Sequence, residues 1–157
     1  KLFPHILNNS VKMLKITLIK LRKPVEKDVN KDLLWFSESL GLFSERDKEK
    51  SCFRVFLELI KASRRGKALS SDEIAIRSNL SRATVVHHLH KLIESGLINP
   101  YQNKYLLRVE NLENLVLEVK KDLMRTFEDL QDIAKDLDEE LGLIKRTKIK
   151  TSTISED

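Results

Sequence analysis

The chain has a single cysteine, Cys52, so a disulfide framework is excluded and cysteine usage is compatible with a reducing cytosol, which makes a cytoplasmic location the expectation. Its four glycines are too few to build a phosphate-cradling glycine loop. No apolar run exceeds four residues, Leu33 to Phe36, which leaves nothing to span a membrane and no secretory hydrophobic region. Cys52 has no base near it in sequence and no paired acid–base constellation occurs, so neither an enzyme nor a cofactor is expected. Low complexity is scarce and there is no internal repeat.

What is present is charge, unevenly placed. The net charge is +5, but residues 111–157 hold 8 Lys and Arg against 12 Asp and Glu, a sum of −4, whereas residues 1–110 hold 21 against 12, a sum of +9. The first part is a candidate polyanion-binding surface and the second is not. A chain of 157 residues suits one compact domain, or one domain with an extension. Residues 1–12, "KLFPHILNNSVK", read as an N-terminal extension, with Met13 the candidate start of the folded unit.

Periodicity then places the elements. Met13 to Lys23, rich in aliphatic and β-branched residues with interleaved lysines, predicts a strand that ends at Pro24. Asp28 or Asn30 caps a short helix carrying Leu33, Leu34, Phe36 and Leu40 and stopped by Gly41. Cys52, Phe56, Leu59 and Ile60 recur at helical spacing and predict a helix from about Asp47 to Arg65, closed by Gly66, with Cys52 a buried small hydrophobe. Ser70 and Glu73 in "SSDE" form a capping box that opens a helix carrying Ile74, Ala75 and Ile76 inward. "RSNL" makes a tight turn. Ser81 caps a second helix in which Val85, Leu89 and Leu92, with His88 adjoining, form the apolar face. Arg82, Ala83, Val86, His87 and His90 fall on the other side. Gly96 ends this helix, "LIN" begins a strand, "PYQN" turns and "KYLLRV" returns.

Two short helices followed by a hairpin are a winged helix-turn-helix. The stretch "SSDEIAIRSNLSRATVVHHLHKLIESGLI" with its polar turn, Ser70 to Val109, resembles the DNA-binding unit of the ArsR-like and MarR-like winged-helix transcriptional regulators, and its "T-V-x-x-H-L" core looks like archaeal members. The resemblance covers about a quarter of the chain closely and implies that the second helix lies in the major groove while the wing touches the backbone. By that resemblance Arg82 matches a base- or phosphate-contact position, whereas Val86 and His87 stand where such families often carry a serine and an arginine. The implied nucleic-acid contacts are Arg77, Ser81, Arg82, Thr84, Val86, His87, His90, Lys91, Asn103 and Lys104. His88 is assigned to internal packing. A metal reading of His87 and His90 lacks a cysteine or carboxylate partner, so no metal is expected.

After Asn111, apolar residues at Leu112, Val116, Val119, Leu123, Phe127, Leu130, Ala134, Leu137 and Leu141 recur every 3.6 residues on average. They predict one long amphipathic helix whose stripe needs a partner, and the simplest is a second copy of the chain; packing on its own domain is the alternative. Leu112 to Leu137 of that stripe are the expected dimer interface. The expected fold is mainly α with a small β-hairpin wing, a winged helix-turn-helix plus a long C-terminal dimerisation helix. It is organised as an extension (1–12), a strand and helix (13–45), the winged domain (46–110), the dimerisation helix (111–142) and a flexible tail (143–157). The expected function is that of a homodimeric transcriptional regulator on double-stranded DNA. The alternative is a dimeric winged-helix factor on ribosomal RNA or a ribosomal subunit, which would use the basic residues spread outside the helix: Lys15, Lys20, Arg22, Lys23, Arg64 and Arg65. A winged helix that serves only protein interaction is a third class.

Overall fold

The computed structural model describes residues 13–143; the expected extension over 1–12 and the expected tail beyond Leu143 lie outside the described residues. The elements follow in the order α1 (Val29–Ser39), α2 (Ser51–Ser63), α3 (Ser71–Ser78), α4 (Arg82–Glu94), β1 (Ile98–Tyr101), β2 (Lys104–Leu107) and α5 (Leu112–Leu141). The chain divides into two compact units between Lys120 and Lys121.

The core of the first unit is made where three helices meet: α2 packs on α3 and on α4, and these two pack on each other. Val55, Phe56 and Leu59 of α2, Ile74 of α3, and Val85, Leu89 and Leu92 of α4 are all essentially inaccessible to solvent, as are Leu97, Ile98 and Leu115. Each such side chain contributes roughly 1.5–3 kcal/mol relative to exposure.

Local chemistry sets the helix starts. Asp28 caps α1, its Oδ1 accepting from the backbone N–H of Asn30 at 2.8 Å and of Lys31 at 3.1 Å. α2 begins four residues after the expected Asp47, because the Asp47 carboxylate works from outside the helix. It accepts from Ser51 N at 2.9 Å and Cys52 N at 3.0 Å while Lys50 turns the chain with φ 55°. Burial raises the Asp47 pKa, but the hydrogen bonds from Cys52 and Ser51 outweigh it and leave the group below its ordinary value. The capping box of α3 is complete: Ser70 Oγ accepts from Glu73 N at 3.1 Å, and Glu73 Oε2 accepts from Ser70 N at 2.7 Å. Ile76 does not point inward as expected. It is 82% exposed, because a residue two positions beyond the buried Ile74 lies about 200° further round the helix.

The strand expected over Met13 to Lys23 does not form. Among the described residues no strand pairs with it, and its backbone bonds instead to helix ends: Lys15 N donates to Glu94 O and Ile19 N to Ser39 O, both at 2.8 Å. The segment is clamped where Thr17 meets Gly41. A Cβ at Gly41 would lie 2.7 Å from Thr17 Cγ2, and Gly41 has φ +70°. Gly41→Ala is therefore expected to destabilise the protein by about 1–2 kcal/mol, since a left-handed residue acquires a Cβ and Thr17 must move away. Thermal denaturation measures the loss; an unchanged Tm would mean that residues 15–17 are not held against Gly41.

The hairpin is antiparallel, with Ile98 opposite Leu107 and Tyr101 opposite Lys104. Gln102 and Asn103 form the two-residue turn, both with positive φ (47° and 61°), as the primed turns that match strand twist require. Leu69 adds an isolated bridge to Tyr105. Asn111 Oδ1 accepts from Asn114 N at 2.8 Å and starts α5, a helix of 30 residues. Within its first turns Leu115 and Val119 are buried, and Arg108 pairs with Glu118 at 3.6 Å. Val119, an expected dimer-interface residue, is 4% exposed, so it is covered in the single chain and not available to a partner. The reason is helical phase: Leu115 and Val119 lie one turn apart on the inward side, so the inward residue is Leu115 and not Val116. Leu112 and Leu123 are half-buried, and Phe127, Leu130, Ala134 and Leu137 are exposed.

Candidate nucleic-acid interface

α4 is held by its inward face and left free on the other. Ser81 caps it, Oγ accepting from Thr84 N at 3.2 Å and lying 2.8 Å from Thr84 Oγ1, so the two hydroxyls expected to meet nucleic acid also serve the cap. Val85, His88, Leu89 and Leu92 are buried. Arg82, Ala83, His87 and His90 are exposed and Val86 half-exposed, along one outward side. Arg82 is not idle. Its Nε lies 3.2 Å from Asp72 Oδ1 and 3.4 Å from Ser71 Oγ at the start of α3, and both side chains of the ion pair are largely exposed.

The second half of α4 borders the N-terminal segment. A cleft of about 410 Å³ is lined by Lys15 and Thr17, by Leu40 and Gly41, and by His87, His90, Lys91, Glu94 and Ser95 of the α4 region. Lys91 Nζ donates to Gly41 O at 3.4 Å, so Lys91 leans toward the end of α1. By sequence alone Lys15 is one of several scattered basic residues and Thr17 has no role. The contact that brings both beside α4 joins residues far apart in the chain, and no local pattern carries it.

His88 packs internally, with its Nδ1 buried and without a partner among the described residues, edge-on to His87 at 5.2 Å between ring centroids. Burial pushes its pKa below the ordinary imidazole value, the Asp47 carboxylate opposes this, and His87 and Lys91 reinforce it. The folded state thus favours the neutral ring and the unfolded chain binds the proton more readily. The contribution is full above the unfolded value, about 6.5, and is lost as pH falls below it. His88→Leu is expected to lose less Tm than the parent protein between about pH 7 and about pH 5. Equal losses would place the acid sensitivity elsewhere; Asp47 titrates in the lower carboxylate range. Cys52 is a core group, its thiol pushed up to about 11 by burial.

The remaining predicted contacts gather on a different surface. Arg77 and Lys104 line a cleft of about 490 Å³ with Lys67, Glu73, Tyr101 and Gln102, between α3 and the wing, and no residue of α4 contributes to it. Asn103 sits in the wing turn beside it. The predicted set is therefore two groups: one along α4, one along α3 and the wing. Among the described residues no group of three or more His, Cys, Asp or Glu is placed to hold a metal ion, and no helix is long and apolar enough to cross a membrane.

Residues 49–101, a third of the chain, match a family described as a helix-turn-helix domain. The match spans α2, α3, α4 and β1, the elements whose packing leaves the α4 face open. The chain carries a helix-turn-helix domain whose matched residues end within the hairpin wing; in helix-turn-helix proteins that bind DNA, the second helix lies in the major groove. No curated protein and no solved structure matches the chain.

Proposed function

We propose that the protein is a homodimeric transcriptional regulator of the ArsR-like and MarR-like winged-helix type, cytoplasmic and without enzymatic activity, that binds double-stranded DNA through α4. The observation that carries this reading is the outward side of α4, where Arg82, Val86, His87 and His90 are accessible on a helix rigidly seated by four buried residues, within the matched helix-turn-helix domain. Arg82 reads a base edge from the helix start, and Ser81, Thr84, His87, His90 and Lys91 approach phosphates along it. Arg77, Asn103 and Lys104 contact the backbone from the wing side.

The dimer rests on the second unit. From Leu123 the stripe follows intervals of four and three, through Phe127, Leu130, Ala134, Leu137 and Leu141, and all but Leu123 are exposed. A strict seven-residue repeat is the spacing at which two helices wind round each other with a left-handed twist. A second reading, docking on ribosomal RNA or a ribosomal subunit, is favoured by the exposed Lys15, Lys20, Arg22 and Lys23 outside the helix-turn-helix.

Selection of short duplexes from a random pool, scored beside binding to purified ribosomal subunits, tests both. An enriched palindrome is expected, since a two-fold dimer reads two half-sites. No enrichment, together with saturable and salt-sensitive subunit binding, would replace DNA by the ribosome as the target.

A further inference from the structure

We infer that the cleft between the C-terminal end of α2 and α3 is a second phosphate-binding track, which holds the backbone of duplex DNA outside the base pairs that α4 reads; this rests on the DNA-binding function proposed above. The cleft, about 450 Å³, is lined by Glu58, Lys61, Arg64, Arg65 and Arg77. Glu58 is its one acid, and it is already paired: Lys61 Nζ lies 3.1 Å from Glu58 Oε1, whose side chain is 12% exposed. Three guanidinium groups remain. Among the described residues, Arg64 and Arg65 make no side-chain hydrogen bond or ion pair, and both are exposed.

The local chain explains how the charges come together. α2 ends at Ser63, Arg64 and Arg65 follow in the closing turn, and Gly66, with φ 62°, sends the chain back toward α3, where Arg77 occupies the last turn. A cation near a helix C-terminus is favourable, and one would serve that purpose. Crowding four basic groups around one paired acid repels them from each other, and an incoming polyanion relieves that repulsion. Planar guanidinium forks fit phosphate oxygens two at a time. No aromatic side chain lines the cleft to stack an unpaired base, which favours a duplex backbone over a single strand.

Arg77 also lines the neighbouring cleft that contains Lys67 and Lys104. The basic groups therefore continue from the end of α2 to the wing without using any α4 residue, with one further acid among them, Glu73, whose Oε2 accepts from Ser70 N in the capping box. Duplex held by the wing can extend along this surface, so the track adds backbone contacts without changing which bases are read.

The test compares the full-length protein with an Arg64→Ala/Arg65→Ala variant by fluorescence anisotropy over a salt series. One duplex carries the selected site with long flanks and a second is trimmed to the site. On the long duplex the variant is expected to bind more weakly, and the slope of log K against log salt to fall by about 1.8, roughly 0.9 for each lost phosphate contact. On the trimmed duplex the two proteins should agree, and the base preference should be the same. Arg64→Lys/Arg65→Lys, which keeps the charges, should retain most of the slope. An unchanged slope on the long duplex, or equal losses on both duplexes, overturns the track and leaves the α4 reading standing. A loss confined to duplex RNA overturns it in favour of an RNA backbone. A parent protein that binds no duplex overturns the proposed function and the track together.

Discussion

A Phe127→Asp/Leu130→Asp protein is expected to sediment as a monomer at micromolar concentration and to bind its preferred duplex about 10²–10⁴-fold more weakly than the parent, because two linked half-site contacts become one. Phe127 is 61% and Leu130 58% exposed in the single chain, so carboxylates there meet water and cost the fold little. In a helix pair the same positions lie on the seam, and burying an unpaired carboxylate costs several kcal/mol at each of four sites. Circular dichroism should show helix content nearly intact. Sedimentation velocity decides the matter: a parent protein that is already monomeric would mean that the stripe covers some other surface, and the palindromic target would lose its basis.

Arg82→Ala is expected to lower affinity for the preferred duplex by about 1–3 kcal/mol while changing binding to random duplex far less, the signature of a base-edge contact. In the free protein Arg82 is tied to Asp72 at 3.2 Å and to Ser71 at 3.4 Å. An exposed pair of this kind is worth roughly 0–1 kcal/mol, so exchanging Asp72 for a guanine edge costs little. Asp72→Ala should accordingly strengthen binding slightly by removing both the competitor and a negative charge near the phosphates. Competition binding against specific and random duplexes measures both variants. A uniform loss across all sequences would move Arg82 from base reading to phosphate contact, leaving Val86 and the histidines as the remaining sources of sequence preference on this face.

Much of the architecture was legible because its signals are short-range. Ser70 and Glu73 close on each other over three residues, Ser81 caps α4 over three, and Asp28 caps α1 over two and three. The split of α4 into a buried Val85, Leu89 and Leu92 and an exposed Arg82, His87 and His90 follows from one helical period. The α2 start lies four residues beyond the expected Asp47: Asp47 and Ser51 both suit a helix N-terminus, and choosing between a capping carboxylate and a helical one needs the geometry of Lys50. Ile76 shows the complementary case: its apolar character suggests an inward position, but its phase relative to Ile74 points it outward.

The sequence by itself determined the existence of the helices, the caps of α3 and α4, the hairpin turn and the unequal charge of residues 1–110 and 111–157, since each depends on spacing within a few residues or on composition. Only the tertiary structure decided that residues 13–23 lie on helix ends instead of forming a strand, that Lys15 stands beside His87 and His90, and that Arg64, Arg65 and Arg77 share one cleft. It likewise decided that Leu115 and Val119, and not Val116, are covered in the single chain. The physical reason is common to all of these: a strand exists only if another strand pairs with it, and a charged surface exists only where separate elements bring like groups together. Such partners are chosen by the packing of distant segments, and the local pattern of residues carries no record of them.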